Sequence, residues 1–285
     1  MLNKIKENLL FFCSFLFTKG VVFLIPIVLA DVLPAISYGK LEYALAGLGF
    51  VLNALLNLGV PGAYPYFNLR LKETNLSNGF YLHHAWLFLL FAINQVAFLI
   101  FQIPTELYLS FNVAYIMANQ IYFSTKHKSH NKPTTAIFLN SGIYLLLLII
   151  YALSLVGLFE LTLEIINLLF LAYASIYAVW GIILLVNSPK ENIFKKYQKI
   201  LKYGFHIMIG SFLIFLLTAS GRIMVEYFFD YEKVAIYSFY FRMSAVVVMI
   251  YQMISILYFS KLYTVNPIIL DKYYSLFFLG TALLS

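Results

Sequence analysis

Residues 9–30 read LLFFCSFLFTKGVVFLIPIVLA, an apolar run that holds a single charge, at Lys19. About 20 apolar residues in a helix cross the hydrocarbon core of a bilayer, so this run predicts a transmembrane helix. The whole chain has the same character, since 62% of its 285 residues are hydrophobic, 11% are charged and the mean hydropathy is +0.87. A soluble domain carries roughly 25% charged residues. The composition therefore excludes an ordinary soluble protein.

Further apolar runs predict eight complete spans and a ninth that is cut short. These runs are apolar on every face, which excludes a transmembrane β-barrel because barrel strands alternate polar and apolar residues. The fourth run is the weakest, since it is short and contains Asn112, Asn119 and Gln120. The predicted fold is an all-α, polytopic transmembrane helical bundle. The runs are 9–30, 43–67, 80–103, 107–123, 135–158, 161–187, 205–229, 234–259 and 273–285.

The basic residues predict the orientation of these spans. With the N-terminus in the cytoplasm, fourteen of the nineteen Lys and Arg residues fall in cytoplasmic segments, whereas Lys40 and Lys233 fall outside. This bias is the one that the positive-inside rule describes. Topology thus accounts for the net charge of +7, and we expect no nucleic-acid partner. The first run is longer than a signal-peptide core, and we expect it to be a retained helix.

A lysine-rich segment divides the chain into two parts. We predict a six-helix N-terminal transmembrane lobe at 1–187, a basic cytoplasmic linker at 188–202, and a partial C-terminal lobe of two to three helices at 203–285. The charge of the linker favours orientation and contact with membrane lipids over a specific partner site. Residues 36–43 and 232–239 occupy matching places before the second and eighth spans, a weak internal repeat of the kind that transporters contain.

Patterns for catalysis and metal binding are missing from the sequence. The single cysteine, Cys13, excludes an intrachain disulfide and a cysteine-based metal site. There is no catalytic Ser/His/Asp or Cys/His set, no P-loop and no H-E-x-x-H motif. His127 and His130 lie in a lysine-rich loop, and His83 with His84 is expected at the membrane interface or against lipid. We therefore predict no enzymatic activity, no cofactor and no metal.

Four short segments resemble one known family. Residues 38–43 (YGKLEY) are similar to its "eyGlya" turn, and residues 57–60 (NLGV) to its "dlGl" at the end of the second span. Residues 202–205 (KYGF) are similar to its "kfglP", and residues 234–238 (VAIYS) to its "vGlYs". This family is the polysaccharide flippases, of the O-antigen translocase type, in the multidrug/oligosaccharidyl-lipid/polysaccharide exporter superfamily. The segments occur in the family's order across most of the chain.

The resemblance implies a flippase that moves undecaprenyl-diphosphate-linked O-antigen or capsule repeat units across the bacterial inner membrane. It also implies other polysaccharide assembly proteins as partners. The chain departs from the family at Gly221-Arg222, where an Asp-Arg pair is usual, and at His206, near a usual proline. It ends inside its ninth run, so we expect a fragment or a truncated product. The alternatives are a multidrug efflux transporter, a membrane polysaccharide polymerase or ligase, and an inactive fragment.

Three basic residues lie within predicted spans: Lys19, Arg222 and Arg242. In a flippase they would bind the lipid diphosphate in a cavity between the lobes, because an unpaired cation in hydrocarbon costs roughly 2.5–3.5 kcal/mol and needs water, a partner or an anion. Lys19 could instead pair with a polar neighbour, and Arg222 with Glu226 or with headgroups. Glu226, a carboxylate near the outer end of the seventh predicted span, would couple transport to an ion or, as its spacing favours, pair with Arg222.

Overall fold

Helices make up nearly all of the described chain. The computed structural model describes residues 2–244, 253, 255–265, 271 and 275, and these residues contain no strand, which confirms the predicted all-α bundle. Two π-helical turns, Tyr43–Gly47 and Tyr66–Arg70, and a 3-10 turn, Thr74–Leu76, lie between α-helices. The α-helices are α1 (Leu2–Val32), α2 (Ala35–Glu42), α3 (Leu48–Asn57), α4 (Val60–Pro65), α5 (Ser77–Phe101), α6 (Thr105–Ser129), α7 (Pro133–Asn140), α8 (Gly142–Leu155), α9 (Leu163–Val186), α10 (Ile193–Phe228), α11 (Tyr231–Ser244) and α12 (Phe259–Thr264).

Several of these helices are suited to a membrane. Large apolar side chains cover their outer surfaces; Leu99 and Leu217 are 77% and 79% exposed. A surface of this kind is stable against lipid tails and costly in water, and it agrees with the membrane character that the composition predicts. A sixth span is formed if α7 and α8, which are bent by 61° at their junction, are taken together. Within the described residues, five segments are long and apolar enough to span: Leu9–Val32, Ala35–Asn57, Ser77–Phe101, Leu163–Val186 and Ile193–Phe228.

Helix α6, which has the weakest apolar pattern, lies inside the bundle. Its 25 residues extend about 37 Å, enough to cross the hydrocarbon core. Its polar residues Asn112, Asn119 and Gln120 are buried and make hydrogen bonds to neighbouring helices. Asn112 Oδ1, for example, accepts hydrogen bonds from the amides of Asn94 and Gln95 on α5. Because protein surrounds α6, its low hydropathy does not expose polar groups to lipid.

The second predicted span, 43–67, is broken at Leu58 and Gly59. Both residues adopt left-handed backbone conformations, with φ of 49° and 68°, which end α3 and begin α4. Gly59 is required for a second reason, since a Cβ at this position would collide with the backbone carbonyl of Gly204 on α10. The chain therefore bends where α10 crosses it, and the family-like segments around Gly59 and Gly204 meet in space.

Helix α10 is a single helix of 36 residues. At about 54 Å it is longer than the roughly 30 Å core of a bilayer. The predicted linker, 188–202, is therefore helical from Ile193 onward, and the predicted boundary after Lys202 falls inside a continuous helix. Residues 193–202 contain no Gly or Pro, and their lysines have good helix propensity, so nothing local interrupts the helix.

His83 and His84 lie inside the bundle, and the expectation of an interfacial or lipid-facing position was wrong. Both side chains are almost completely buried. His83 Nδ1 lies 3.1 Å from the hydroxyl of Tyr197 on α10, and His84 Nδ1 lies 3.0 Å from Asn119 Oδ1 on α6. The pair thus links α5 to both neighbouring helices, and each contact replaces one hydrogen bond to water that burial removes, while the Nε2 atoms of both rings are buried without a hydrogen-bond partner among the described residues.

The last two predicted runs are described only in part. Helix α11 covers the beginning of the eighth span, 234–259, whereas residues 245–252 and 254 lie outside the described residues. The ninth run, 273–285, also lies outside the described residues, apart from Ser275.

The two segments of the weak internal repeat pack against each other, because α2 lies along α11. Gly39 makes this contact possible, since a Cβ there would collide with the backbone carbonyl oxygen of Tyr231. The rings of Tyr43 and Tyr231 meet edge to face at 5.6 Å. Beside them, Lys40 Nζ lies 3.1 Å from Glu106 Oε2 on α6. These contacts hold α11 against the first lobe.

Candidate functional site

A cavity of about 370 Å³ lies between the first lobe and helices α10 and α11; we call it the central cavity. Helices α1, α3, α6 and the junction of α7 with α8 form one side, and α10 and α11 form the other. Its volume falls in the range of about 300–1,000 Å³ that is typical of small-molecule sites. Polar residues of its lining include Lys19, Asn53, Gln120, Ser141, Arg222 and Arg242.

The three basic residues predicted to bind substrate all line the central cavity. Lys19 comes from α1, Arg222 from α10 and Arg242 from α11, and the exposed fractions of the three are 9%, 2% and 11%. Aromatic rings face both guanidinium groups: Arg222 lies 4.7 Å from the centre of Phe241, and Arg242 lies 5.8 Å from that of Tyr144. The structure brings the three cations to one cavity, and their role in substrate binding stays a prediction.

A buried carboxylate, Glu42, lies between the two arginines. Its side chain is completely buried at the end of α2. Glu42 Oε1 accepts hydrogen bonds from Arg242 Nη2 at 2.6 Å and Nε at 3.1 Å. Glu42 Oε2 lies 3.8 Å from Arg222 Nη2, and Arg222 Nε donates to Ser238 Oγ at 2.9 Å. Two arginines, one from α10 and one from α11, thus share one carboxylate from α2.

This arrangement corrects one expectation. The sequence favoured an Arg222–Glu226 pair. The described ion pair of Arg222 is instead with Glu42. Glu226 does not line the central cavity and lies near the hydroxyls of Tyr43 and Tyr231. The physical reason is that Glu42 is fully enclosed where α2 packs on α11, while Glu226 lies one turn farther along α10 and is only half-buried.

Three cationic side chains, Lys19, Arg222 and Arg242, line the central cavity, and Glu42 contacts the two arginines. Cations that are buried away from water are stabilised by an anion that enters the cavity. Arginine can bind phosphate through two parallel hydrogen bonds, whereas lysine binds it as a point charge. The site is therefore suited to an anionic group such as a phosphate or diphosphate.

Buried amides and hydroxyls line the side of the central cavity near α3. Asn57 Nδ2 donates to Asn53 Oδ1 at 2.6 Å, and both residues are buried on α3. Within the described residues, Asn53 Nδ2, Asn57 Oδ1 and Ser141 Oγ are buried atoms without a hydrogen-bond partner. Gln120, also buried, donates to the hydroxyl of Tyr173 at 3.2 Å. The cavity thus combines a cationic region with an uncharged polar one.

No metal centre is found in the part of the chain that the structure describes. It has no group of three or more His, Cys, Asp or Glu side chains that could hold an ion. His130 Nδ1 contacts the backbone carbonyl of Lys126 at 2.7 Å, a local contact within its own helical turn.

Glu42 and the amides of α3 are the site residues that sequence reasoning missed. One signal was present for Glu42: it directly precedes the apolar run 43–67, while Arg242 lies in a span with no acidic residue one turn away. A buried cation with no local partner requires an acid from another helix. Asn53 and Asn57 lie four residues apart in an apolar run, a spacing that places both on one helix face.

No protein-family model, no curated protein and no solved structure matches this chain.

Proposed function

We propose that the chain is a polysaccharide flippase polypeptide that moves undecaprenyl-diphosphate-linked oligosaccharide from the cytoplasmic to the periplasmic leaflet of the bacterial inner membrane. The observation that carries the proposal is the convergence of three basic residues from three different helices, Lys19, Arg222 and Arg242, on the central cavity. A diphosphate lipid needs such a site, because hydrocarbon alone rejects its charge.

The packing of the family-like segments also supports the proposal. The segment at Gly59 meets the segment at Gly204, and α2 lies along α11, so the segments pair across the two lobes. A substrate site at the interface of two repeated bundles is the usual arrangement in secondary transporters. An efflux pump for cationic drugs is disfavoured by the charge of the central cavity, since like charges repel.

Complementation of a flippase-null bacterial strain with the full-length gene tests the function. We expect surface polysaccharide to be restored. A polymerase would not restore it in this strain, because joining repeat units to one another does not move them across the membrane. A drug-resistance phenotype without any change in polysaccharide would favour the efflux alternative and contradict the proposal.

Lys19→Met tests the site within the same assay. It removes one charge from the central cavity and nearly keeps the side-chain volume. Since an interaction with a charged group is worth about 1.5–3 kcal/mol, we expect surface polysaccharide to fall roughly tenfold or more at unchanged protein abundance. Lys19→Arg should retain much of the activity. Lys40→Met is the matched control, because Lys40 pairs with Glu106 away from the cavity. Normal polysaccharide with Lys19→Met at normal abundance would remove Lys19 from the site.

A further inference from the structure

The face of α3 that carries Asn53 and Asn57 opens onto two cavities. Asn53 lines the central cavity, and Asn57 lines a neighbouring cavity of about 220 Å³, which we call the Asn57 cavity. Ile121 of α6 lines both, so the two spaces adjoin. The hydrogen bond between the two asparagines runs along the wall that they share.

The polar atoms on this wall are buried without partners. Asn53 is 0% exposed and Ser141 is 1% exposed, yet neither Asn53 Nδ2 nor Ser141 Oγ has a hydrogen-bond partner among the described residues. Asn57 Oδ1, beside the Asn57 cavity, is likewise buried without a hydrogen-bond partner among the described residues. Leaving such a group unsatisfied costs about 1–3 kcal/mol, so a polar group that enters the cavities and bonds to these atoms is stabilised there.

The chemistry of the wall specifies an uncharged partner. An amide offers a donor and an acceptor, and a hydroxyl offers both, which matches the hydroxyl groups of a sugar. Aromatic rings accompany the amides: Phe50 of the central cavity stacks on Phe215 of the Asn57 cavity at 4.2 Å. Apolar ring faces beside a few directed polar groups are the usual composition of a small-molecule site.

The wall adjoins the cationic region, since Asn53 and Ser141 line the same cavity as Lys19, Arg222 and Arg242. A ligand that fills both regions therefore has an anionic group at one end and a neutral, hydroxyl-rich group at the other.

We propose that Asn53, Asn57 and Ser141 form a subsite for the neutral sugar of the lipid-linked oligosaccharide, distinct from the cationic site for its diphosphate. This inference rests on the proposed flippase function. It adds that two groups of residues recognise two parts of the substrate. The cations bind the diphosphate that all such lipids share, and the amides bind the first sugar. Gln120 completes the polar lining between them.

Binding of two probes to the purified full-length protein in lipid nanodiscs tests the division. One probe is undecaprenyl diphosphate, and the other is the same lipid carrying one N-acetylglucosamine. We expect the sugar-bearing probe to bind about tenfold more tightly, as one or two extra hydrogen bonds allow. Asn53→Leu should abolish this preference and leave the affinity for undecaprenyl diphosphate unchanged. Lys19→Met should weaken both probes equally.

Two further variants keep the test decisive. Ser141→Ala removes a single buried oxygen, and it should reduce the preference severalfold even if Asn53→Leu fails to fold. Asn167→Leu is the matched control: Asn167, on α9, also has an unpartnered amide oxygen but lines neither cavity. It should leave both affinities unchanged.

The outcomes separate the two proposals. If the wild-type protein binds both probes equally, or if Asn53→Leu and Ser141→Ala keep the preference, the sugar subsite is overturned while the cationic site stands. Equal weakening of both probes by Asn53→Leu would mean that the amide is only structural, and it also overturns the subsite. If the wild-type protein binds neither probe, the proposed function and the subsite fall together.

Discussion

Replacing Glu42 should be more damaging than replacing either arginine that it contacts. Glu42→Gln removes the only carboxylate between Arg222 and Arg242 and leaves two guanidinium groups buried side by side. Arg242→Gln, by contrast, leaves Glu42 with Arg222, a pair without net charge. The number of uncompensated charges, rather than the number of lost hydrogen bonds, therefore sets the order of the two variants.

The distances from Glu42 to the two arginines set the size of the expected loss of stability. At an effective dielectric constant of about 20, the 2.6 Å contact of Arg242 with Glu42 corresponds to about 6 kcal/mol of attraction, and the 3.8 Å contact of Arg222 to about 4 kcal/mol. Desolvation of three ions, at several kcal/mol each, offsets most of this attraction. Removing one partner of a buried pair then costs about 3–5 kcal/mol, which we expect for Glu42→Gln and correspondingly less for Arg242→Gln.

The assay is thermal unfolding of the detergent-solubilised protein, followed as the fraction that stays monodisperse on size exclusion. At roughly 2–4 °C per kcal/mol, Glu42→Gln should lower the midpoint by about 6–20 °C. The double variant Glu42→Gln, Arg242→Gln leaves one buried cation instead of two, so it should be more stable than Glu42→Gln alone.

A matched control comes from the surface. Glu73 pairs with Lys199 at 2.6 Å, but both side chains are partly exposed, so Glu73→Gln should cost less than about 1 kcal/mol. The reasoning is refuted if Glu42→Gln unfolds at the wild-type temperature, or if Arg242→Gln proves the more damaging of the two single variants.

Two further predictions concern packing and topology. Gly39→Ala should lower the unfolding midpoint by the equivalent of about 1–3 kcal/mol, because the added Cβ meets the backbone of Tyr231. Gly210→Ala is the control: a Cβ at this position has no atom within 4 Å, so the variant should be neutral or stabilising. Equal midpoints for the two variants would contradict the close packing of α2 on α11. Reporter fusions at Lys128 and Lys196 should both report cytoplasm, as the distribution of basic residues predicts, and a periplasmic signal at either would overturn the orientation.

Half of the candidate site could be predicted from the sequence. Lys19, Arg222 and Arg242 are identifiable because each is a charge inside an apolar run, and such a charge is visible in a window of about 20 residues. The role of Glu42 could not be predicted, because its partner Arg242 lies 200 residues away along the chain. Charge pairing depends on the distance between two atoms in space, and no local window contains that distance.

The helix boundaries, like the site residues, could be predicted from the sequence only in part. The sequence predicted a basic linker at 188–202, whose residues from Ile193 onward begin α10, and a span at 43–67, where the structure has a bend at Leu58 and Gly59. Helix propensity alone supports a helix through residues 193–202. The bend has a local signal in Gly59 and Pro61, but the close approach of the Gly204 backbone, which leaves no room for a side chain at Gly59, comes from another helix and is visible only in the tertiary structure.

By itself, the sequence determined the solvent of this protein, its all-α class and the places where charge enters apolar segments. These properties add up residue by residue along the chain, since a span needs only enough apolar length to cross the bilayer. Only the tertiary structure decided that α6 is enclosed by other helices, that Glu42 lies between two arginines, and that three distant cations share one cavity. Lipid presents the same apolar surface to every helix, so which helix faces pack together depends on close fit and interhelical hydrogen bonds, and these exist only once the helices have met.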